Sequence, residues 1–305
     1  MKLPSHFDVG AASHTGSVRA SNEDDYLIGA LLPPDPELLL CAIADGMGGA
    51  AGGGEASRSA LRALGAAVLD GASRQPMGAR LQAGFEAAAR RIAEQAEAVP
   101  ALRDMGTTLT ALVLVGERAF VGHVGDTRIY LVRDGACEVL TEDHAVREPD
   151  NLLLRCVGGG QATCSADLRE LATQPGDRLV LVSDGVWSVV NQASIQRLAA
   201  AGTGLGAAEA LVGAALAAGG PDNATAVVVV VREPQAGAPV QDLALPREER
   251  PSQGGGWPAP ESLRPPRWPW LLLLLALVFV LQIVLWLGFG VDGWNWLRSQ
   301  WGTGG

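Results

Sequence analysis

The chain has 305 residues, 48% of them apolar, and carries a formal net charge of −10 from 33 acidic and 23 basic residues. That length and apolar share support a folded domain with a sizeable core. The acidic balance excludes a nucleic-acid backbone as the main partner, which would demand a basic footprint, and favours divalent cations.

Lys2 is the only lysine, and the abundance of Arg, Ala and Gly reads as compositional bias with no mechanism attached. Cys41, Cys137, Cys156 and Cys164 form no C-x-x-C pair, and three lie in or beside apolar segments. They read as buried free thiols of a reducing cytosol. His6, His14, His123 and His144 have no metal-type spacing, which leaves oxygen ligands as the metal shell. No apolar run follows Met1-Lys2, so no secretory signal is expected.

Taken in order, Phe7 to Ala12 alternates weakly and predicts a strand. Ser13 to Asp25 is polar, and Arg19 precedes Glu23 and Asp24; alone, that grouping is an ordinary surface ion pair. Leu38 to Ala44 predicts a buried strand that ends at Asp45-Gly46, before a glycine-dense loop. A carboxylate at the tip of a buried strand is costly unless a cation meets it, although a solvated turn explains this stretch equally well. Glu55 to Leu69 and Met77 to Ala98 carry apolar residues at helical spacing, which core packing explains.

Met105 to Val115, Ala119 to Val124, Thr127 to Val132 and Ala136 to Leu140 predict a β-meander, with Asp134-Gly135 as a two-residue hairpin turn. Asp126 interrupts apolar sequence where a strand might have continued. Arg178 to Ser183 repeats the earlier design, a buried strand delivering Asp184 beside Gly185. Helices are expected at Gln192 to Ala201 and Gly206 to Ala218. Gly219 to Thr225 then turns into an apolar strand, Ala226 to Val231, with Asp222 at its mouth.

The organisation expected is a domain over 1–232, a flexible Pro/Gly-rich linker over 233–267, a transmembrane helix over 268–290 and a short tail over 291–305. From Trp270 to Phe289 the chain has 20 residues without charge, enough for about 30 Å of helix across a bilayer. Trp268, Trp270, Trp286, Trp294 and Trp296 supply interfacial aromatics. Arg264 and Arg267 precede the span, whereas Arg298 follows it, so the domain is expected on the cytoplasmic side of a cell or plasma membrane.

Asp45, Asp184 and Asp222 stand at the ends of three separate predicted strands and would form an all-oxygen site if those strands lie side by side. Carboxylates with a backbone carbonyl suit Mg²⁺ or Mn²⁺. Two such ions lower the pKa of a water and hold it in line with phosphorus, so that no protein nucleophile is needed. Arg19 would grip phosphate oxygens bidentately.

Ser21-Asn-Glu-Asp24 after Arg19, Ala44-Asp-Gly-Met-Gly-Gly49, Gly106-Thr-Thr-Leu-Thr110, Val124-Gly-Asp-Thr-Arg128, Ser183-Asp-Gly185 and Pro221-Asp-Asn-Ala-Thr225 occur in this order. As a set they resemble the bacterial branch of the PPM-type (type 2C) metal-dependent serine/threonine protein phosphatases, over roughly residues 7 to 232. The resemblance implies an α+β fold, a four-layer α-β-β-α sandwich of two mostly antiparallel sheets flanked by helix pairs. It also implies two Mg²⁺ or Mn²⁺ ions and a weaker third. By the same resemblance Asp45 bridges the ions, Gly46 offers its carbonyl, and Asp184 and Asp222 complete one shell. Glu23 and Asp24 hold metal-bound waters, Asp126 with Asp184 binds the third ion, and Arg19 binds phosphate.

This sequence departs from the family in two places. Only Ala145 to Asp150 separates Asp143-His144 from the segment resembling Asn151 to Gly158, a shorter flap than many relatives carry. Ala50 replaces a usual His, with one extra residue before Glu55. Met47, as is usual in the bacterial branch, stands where eukaryotic relatives place a proposed general-acid histidine, so that leaving-group protonation is left to metal-bound water or stays unassigned. The leading expectation is a membrane-tethered phosphatase acting on phosphoserine and phosphothreonine of cytoplasmic proteins, opposite a Ser/Thr protein kinase. The alternative is an inactive phosphoprotein-binding or scaffold module of the same fold; a phosphodiesterase would need an electropositive path that the charge does not suggest.

Overall fold

The computed structural model of the chain describes residues 2–32, 37–48, 52–146, 152–233 and the backbone of 241–242. The described residues all fall within one compact unit, Met1–Arg247. The longer strands and helices are β1 (Phe7–His14), β2 (Asp24–Leu31), β3 (Leu38–Met47), α1 (Gly53–Val68) and α2 (Met77–Ala98). Then come β4 (Leu109–Val115), β5 (Arg118–Val124), β6 (Arg128–Arg133), β7 (Ala136–Val139), β8 (Asp167–Ala172) and β9 (Arg178–Val182). The series closes with α3 (Asp184–Trp187), α4 (Gln192–Ala199), α5 (Gly204–Ala217) and β10 (Ala224–Val231).

These strands form two antiparallel sheets. In the first, β3 pairs with β2 and β4, and β5 links β4 to β8; in the second the order is β1-β10-β9-β6-β7. Strand β3 is an unbroken apolar run because both its faces are covered. Leu39, Cys41 and Ile43 meet Leu181, Val227 and Val229 of the second sheet, while Leu38, Leu40 and Ala42 pack under Leu64, Val68, Leu81 and Phe85 of α1 and α2. The outer face of the second sheet, with Val180, Val182 and Val228, is covered by Ile195 and Ala199 of α4 and Leu211 and Ala215 of α5. Four layers result, α-β-β-α. Each fully buried Leu, Val or Phe contributes about 1.5–3 kcal/mol of hydrophobic stabilisation, so the three apolar clusters hold the layers together.

Asp134 and Gly135 have φ of 50° and 75°, the left-handed pair that a two-residue turn between β6 and β7 requires. Two strands differ from their expected ends, for one reason. The run from Met105 breaks at Thr108, into Gly106–Thr107 and β4, because Thr108 turns to bond Asp45. Conversely β3 does not stop at Ala44 but runs to Met47, since Gly46 and Met47 pair with Thr107 and Gly106. Asp45 therefore lies inside a strand. Strands β2 and β8 have no counterpart in the sequence reading: β2 opens on Asp24-Asp25, and β8 is largely exposed at a sheet edge, so it has no apolar face.

All four cysteines are free, but only Cys41 is buried; Cys137, Cys156 and Cys164 are half-buried. Lys2–Leu3 pairs with Gln241–Asp242, a contact within the stretch read as linker. Among the described residues no helix is long and apolar enough to cross a membrane. The predicted span 268–290 and tail 291–305 lie outside the described residues.

Candidate active site

The sheets deliver their acids to one end of the sandwich. Asp45 sits in β3, Asp126 in the turn between β5 and β6, Asp184 at the start of α3 and Asp222 just before β10. With Arg19, Glu23 and Gly46 they line a cavity of about 600 Å³. Asp24 does not line it. It lies buried beneath, in register with Asp45 across the β2–β3 pair, and its Oδ2 accepts a 2.7 Å hydrogen bond from the Ser183 hydroxyl.

Three of the acids, Asp45, Glu23 and Asp126, are held through their backbones. Asp45 N–H donates to Thr108 Oγ1 at 2.9 Å, while the Asp45 carbonyl accepts from Thr108 N–H and from the Thr107 hydroxyl, both at 2.9 Å. Glu23 is clamped by three groups: its N–H donates to Asn223 Oδ1 at 2.8 Å, and its carbonyl accepts from Ser57 Oγ at 2.7 Å and Gly46 N–H at 3.2 Å. Asn223 also donates through Nδ2 to the Thr15 and Ser21 carbonyls, tying the polar N-terminal segment to the mouth of β10. Trp187 Nε1–H fixes the Asp126 carbonyl at 2.9 Å. Two glycines are required by close packing: a Cβ at Gly46 would lie 2.2 Å from the Gly53 carbonyl oxygen, and one at Gly185 would lie 2.0 Å from that of Asn223.

Crowding of acids sets the electrostatics. Burial first, then the charges of Asp24, Asp184, Asp126 and Asp222, push the Asp45 carboxyl well above the usual carboxylate range. Burial also pushes Asp24 up to about 7, against hydrogen bonds from Thr225 and Ser183. Asp184 is raised by burial and by Asp222, opposed by a hydrogen bond with Asp45 and by Arg19. Arg19 Nη2 donates to Asp222 Oδ2 at 2.7 Å, which raises the guanidinium pKa further. Among the described residues that line the cavity, it is the only cationic side chain.

Among the described residues no three His, Cys, Asp or Glu side chains converge into a ready-made shell for one ion; the carboxylates instead ring the cavity. The donors nevertheless fit hard divalent cations. They are all oxygen, they repel one another enough to hold protons, and Asp24 Oδ1 is buried with no hydrogen-bond partner. Oxygen donors suit such ions, and divalent charge would relieve both the repulsion and the unpartnered oxygen.

Every site residue read from the sequence is brought to this end of the sandwich, with Asp24 below rather than at the cavity. The surface ion pair expected within the polar stretch does not form: Arg19 pairs with Asp222, brought close by the fold, and not with Glu23 or Asp24. Sequence reasoning assigned no role to Asn223, Ser183, Thr107 or Thr108, although each stands inside a motif quoted for its neighbours. Leu152 and Leu153, which also line the cavity, carry no motif signal.

The family model described as Protein phosphatase 2C matches residues 13–217. The serine/threonine protein phosphatase PstP of Mycobacterium tuberculosis is 37% identical over 241 residues, 72% of this chain and 44% of PstP. The chain thus spans less than half the length of that relative. The serine/threonine phosphatase stp of Listeria innocua is 29% identical over 235 residues, 70% of this chain and 92% of that protein. Among solved structures, the catalytic domain of PstP in complex with two manganese ions aligns with a TM-score of 0.67 and 35% identity, over 74% of this chain and 99% of that one.

Proposed function

This chain belongs to the protein phosphatase 2C family, and from that premise we propose that it hydrolyses phosphoserine and phosphothreonine in cytoplasmic proteins with the help of Mg²⁺ or Mn²⁺. The observation that carries the reading is the single cavity joining Asp45, Gly46, Asp184, Asp222, Glu23 and Asp126 to Arg19. An all-acid site would repel a phosphate; this donor set fits cations, and one guanidinium faces the same space.

In this reading Asp45, the Gly46 carbonyl, Asp184 and Asp222 would hold two ions, Glu23 and Asp24 would support them through water, and Asp126 with Asp184 would hold a weaker third. When bound, the ions supply Lewis-acid charge that lowers the pKa of water and neutralises phosphoryl oxygens. Arg19 binds and orients the phosphate, its planar fork matching two oxygens. Water oxygen joins phosphorus, the ester P–O bond breaks, and the Ser or Thr hydroxyl leaves with a proton. The clamps at Thr108, Asn223 and Trp187 keep the acids at fixed separations while charge moves among them.

The reading extends to a single membrane span at 268–290, the domain facing the cytoplasm, and a Ser/Thr protein kinase as the opposing enzyme. What supports the span is the uncharged run Trp270 to Phe289 with its flanking tryptophans and arginines. What supports the kinase is the chemistry alone, since a phosphomonoester on Ser or Thr must be made before it is removed. The test is phosphate release from a phosphothreonine peptide compared with a phosphodiester, with and without Mn²⁺. Selective, metal-dependent release from the peptide supports the proposal; binding of phosphopeptide by folded, metal-loaded protein without release would identify a scaffold instead.

A further inference from the structure

Among the described residues seven large apolar side chains are exposed, and five of them gather: Val18, Leu152, Leu154, Val146 and Met47, at 73%, 61%, 60%, 45% and 38%. These five belong to segments that frame the catalytic cavity, whereas Leu168 lies on the edge strand β8 and Val99 just after α2. Met47 and Leu152 line the cavity, together with the half-buried Leu153; Val18 precedes Arg19; and Val146 pairs with Leu152 in the small hairpin formed with Leu152–Leu153. Single exposed hydrophobes are ordinary on a surface, but a cluster at the mouth of a site marks a surface meant to be covered.

We propose that this rim selects phosphosites flanked by large apolar side chains, so that Leu, Val, Met or Phe next to the phosphorylated residue is preferred over charged or small polar neighbours. The inference rests on the phosphatase reading of the cavity and names its substrate class. A phosphorylated side chain seated in the cavity keeps its neighbours within about 7 Å, the rise of two extended residues. Those neighbours therefore meet the rim.

Charge argues for the same occupant. Among the described residues five carboxylates line the cavity, from Glu23, Asp45, Asp126, Asp184 and Asp222, and two divalent ions with Arg19 would balance them. Little net charge of this lining is then left to attract a basic flank or an acidic one. Among the described residues no lysine and no second arginine lines the cavity to read acidic neighbours. Apolar contact is what the rim has to offer.

The experiment uses phosphothreonine peptides of one sequence whose neighbouring positions are Leu, Ser, Glu or Arg, assayed with Mn²⁺. Residues Leu152 and Leu154 are exposed, so the double variant Leu152→Ser/Leu154→Ser keeps the fold, which a circular dichroism melt verifies. The wild-type protein should favour the Leu-flanked peptide over the Ser-flanked one by about 10-fold in kcat/KM, the scale of a few methylenes in an apolar contact, mainly through KM. In the double variant that ratio should fall towards one. Equal turnover of all four peptides, preference for Glu or Arg, or an undiminished ratio in the double variant would overturn the inference and leave the phosphatase reading standing. No turnover of any peptide by folded protein would overturn the reading itself and the inference with it.

Discussion

Arg19 reaches Asp222 across 203 residues of sequence, its Nη2 donating to Oδ2 at 2.7 Å. The two side chains are 58% and 30% exposed, so the pair contributes at most about 1 kcal/mol to stability. Its value is positional: the one cation among the described residues lining the cavity is held beside carboxylates whose bound ions would share a phosphate with it. Arg19→Ala should lower kcat/KM on a phosphothreonine peptide roughly 10- to 100-fold, the worth of a charge-assisted hydrogen bond, with most of the loss in KM and no measurable change in Tm. Arg19→Lys should recover only part, because an ammonium cannot bridge two oxygens. An alanine variant with unchanged kcat/KM would remove Arg19 from phosphate binding.

Asp184 is raised by burial and by Asp222, so replacing it with a neutral isostere relieves repulsion. Asp184→Asn should abolish Mn²⁺-dependent phosphate release, while its melting temperature in chelator equals or exceeds that of the wild type. Retained activity in this variant would show that Asp184 holds no essential ion.

Asp24 has a sharper pH signature. Its pKa in the fold is about 7, against 3.8 for the unperturbed group. The folded state therefore holds a proton that the unfolded state releases, and wild-type stability falls as pH rises from about 4 to about 7, then levels. Asp24→Asn has no proton to lose and keeps a carbonyl for the Ser183 hydroxyl. In chelator its stability advantage should grow across that window, to on the order of 2–4 kcal/mol at neutral pH, measured by urea unfolding. Saturating Mn²⁺ should shrink or reverse the advantage. An advantage independent of pH would mean that Asp24 is ionised throughout.

Gly185 leaves no room for a side chain beside the site. Because a Cβ there meets the Asn223 carbonyl oxygen at 2.0 Å, Gly185→Ala should cost about 1–3 kcal/mol as an overpacked site. It should also move Asp222, through the Asn223 N–H that donates to Asp222 Oδ1 at 2.8 Å. The expected outcome is a Tm lowered by about 2–4 °C per kcal/mol together with weaker Mn²⁺ binding. A Tm equal to that of the wild type would contradict the packing argument.

The proposed membrane span can be tested apart from catalysis. The full chain should sediment with membranes and leave them only in detergent, whereas a chain ending at Arg247, the limit of the compact unit, should be soluble with the same kcat/KM on a peptide. Ending at Arg247 rather than Arg232 keeps the pairing of Gln241–Asp242 with Lys2–Leu3. A full chain found wholly in the soluble fraction would remove the predicted span.

Much of the fold is legible because periodicity and burial coincide: α2 has the bounds read from its apolar stripe, and β10 is a valine run covered on both faces. Strands β2 and β8 escape that logic, one opening on two acids that the site needs and the other exposed along a sheet edge. Asp45, Asp126 and Asp184 were legible because each breaks an apolar segment beside a glycine, and Asp222 because it stands at the mouth of an apolar strand. What holds them was not. Asn223, Thr108 and Ser183 act through long-range hydrogen bonds to Glu23, Asp45 and Asp24, and a polar residue in a turn looks the same whether it clamps a distant backbone or faces water. Leu152 and Leu154 likewise look like core residues until their exposure is seen.

The central claim is that the carboxylate cavity holds two divalent ions and works only with them. The most direct measurement is calorimetric titration of the Arg247-ended chain with Mn²⁺, alongside phosphate release from a phosphothreonine peptide, for wild type and Asp45→Asn. The account predicts two tightly bound ions in the wild type, release that rises with their occupancy and stops in chelator, and loss of both tight binding and release in Asp45→Asn. Phosphate release that persists in chelator, or an Asp45→Asn protein that binds two ions and turns over normally, would contradict it.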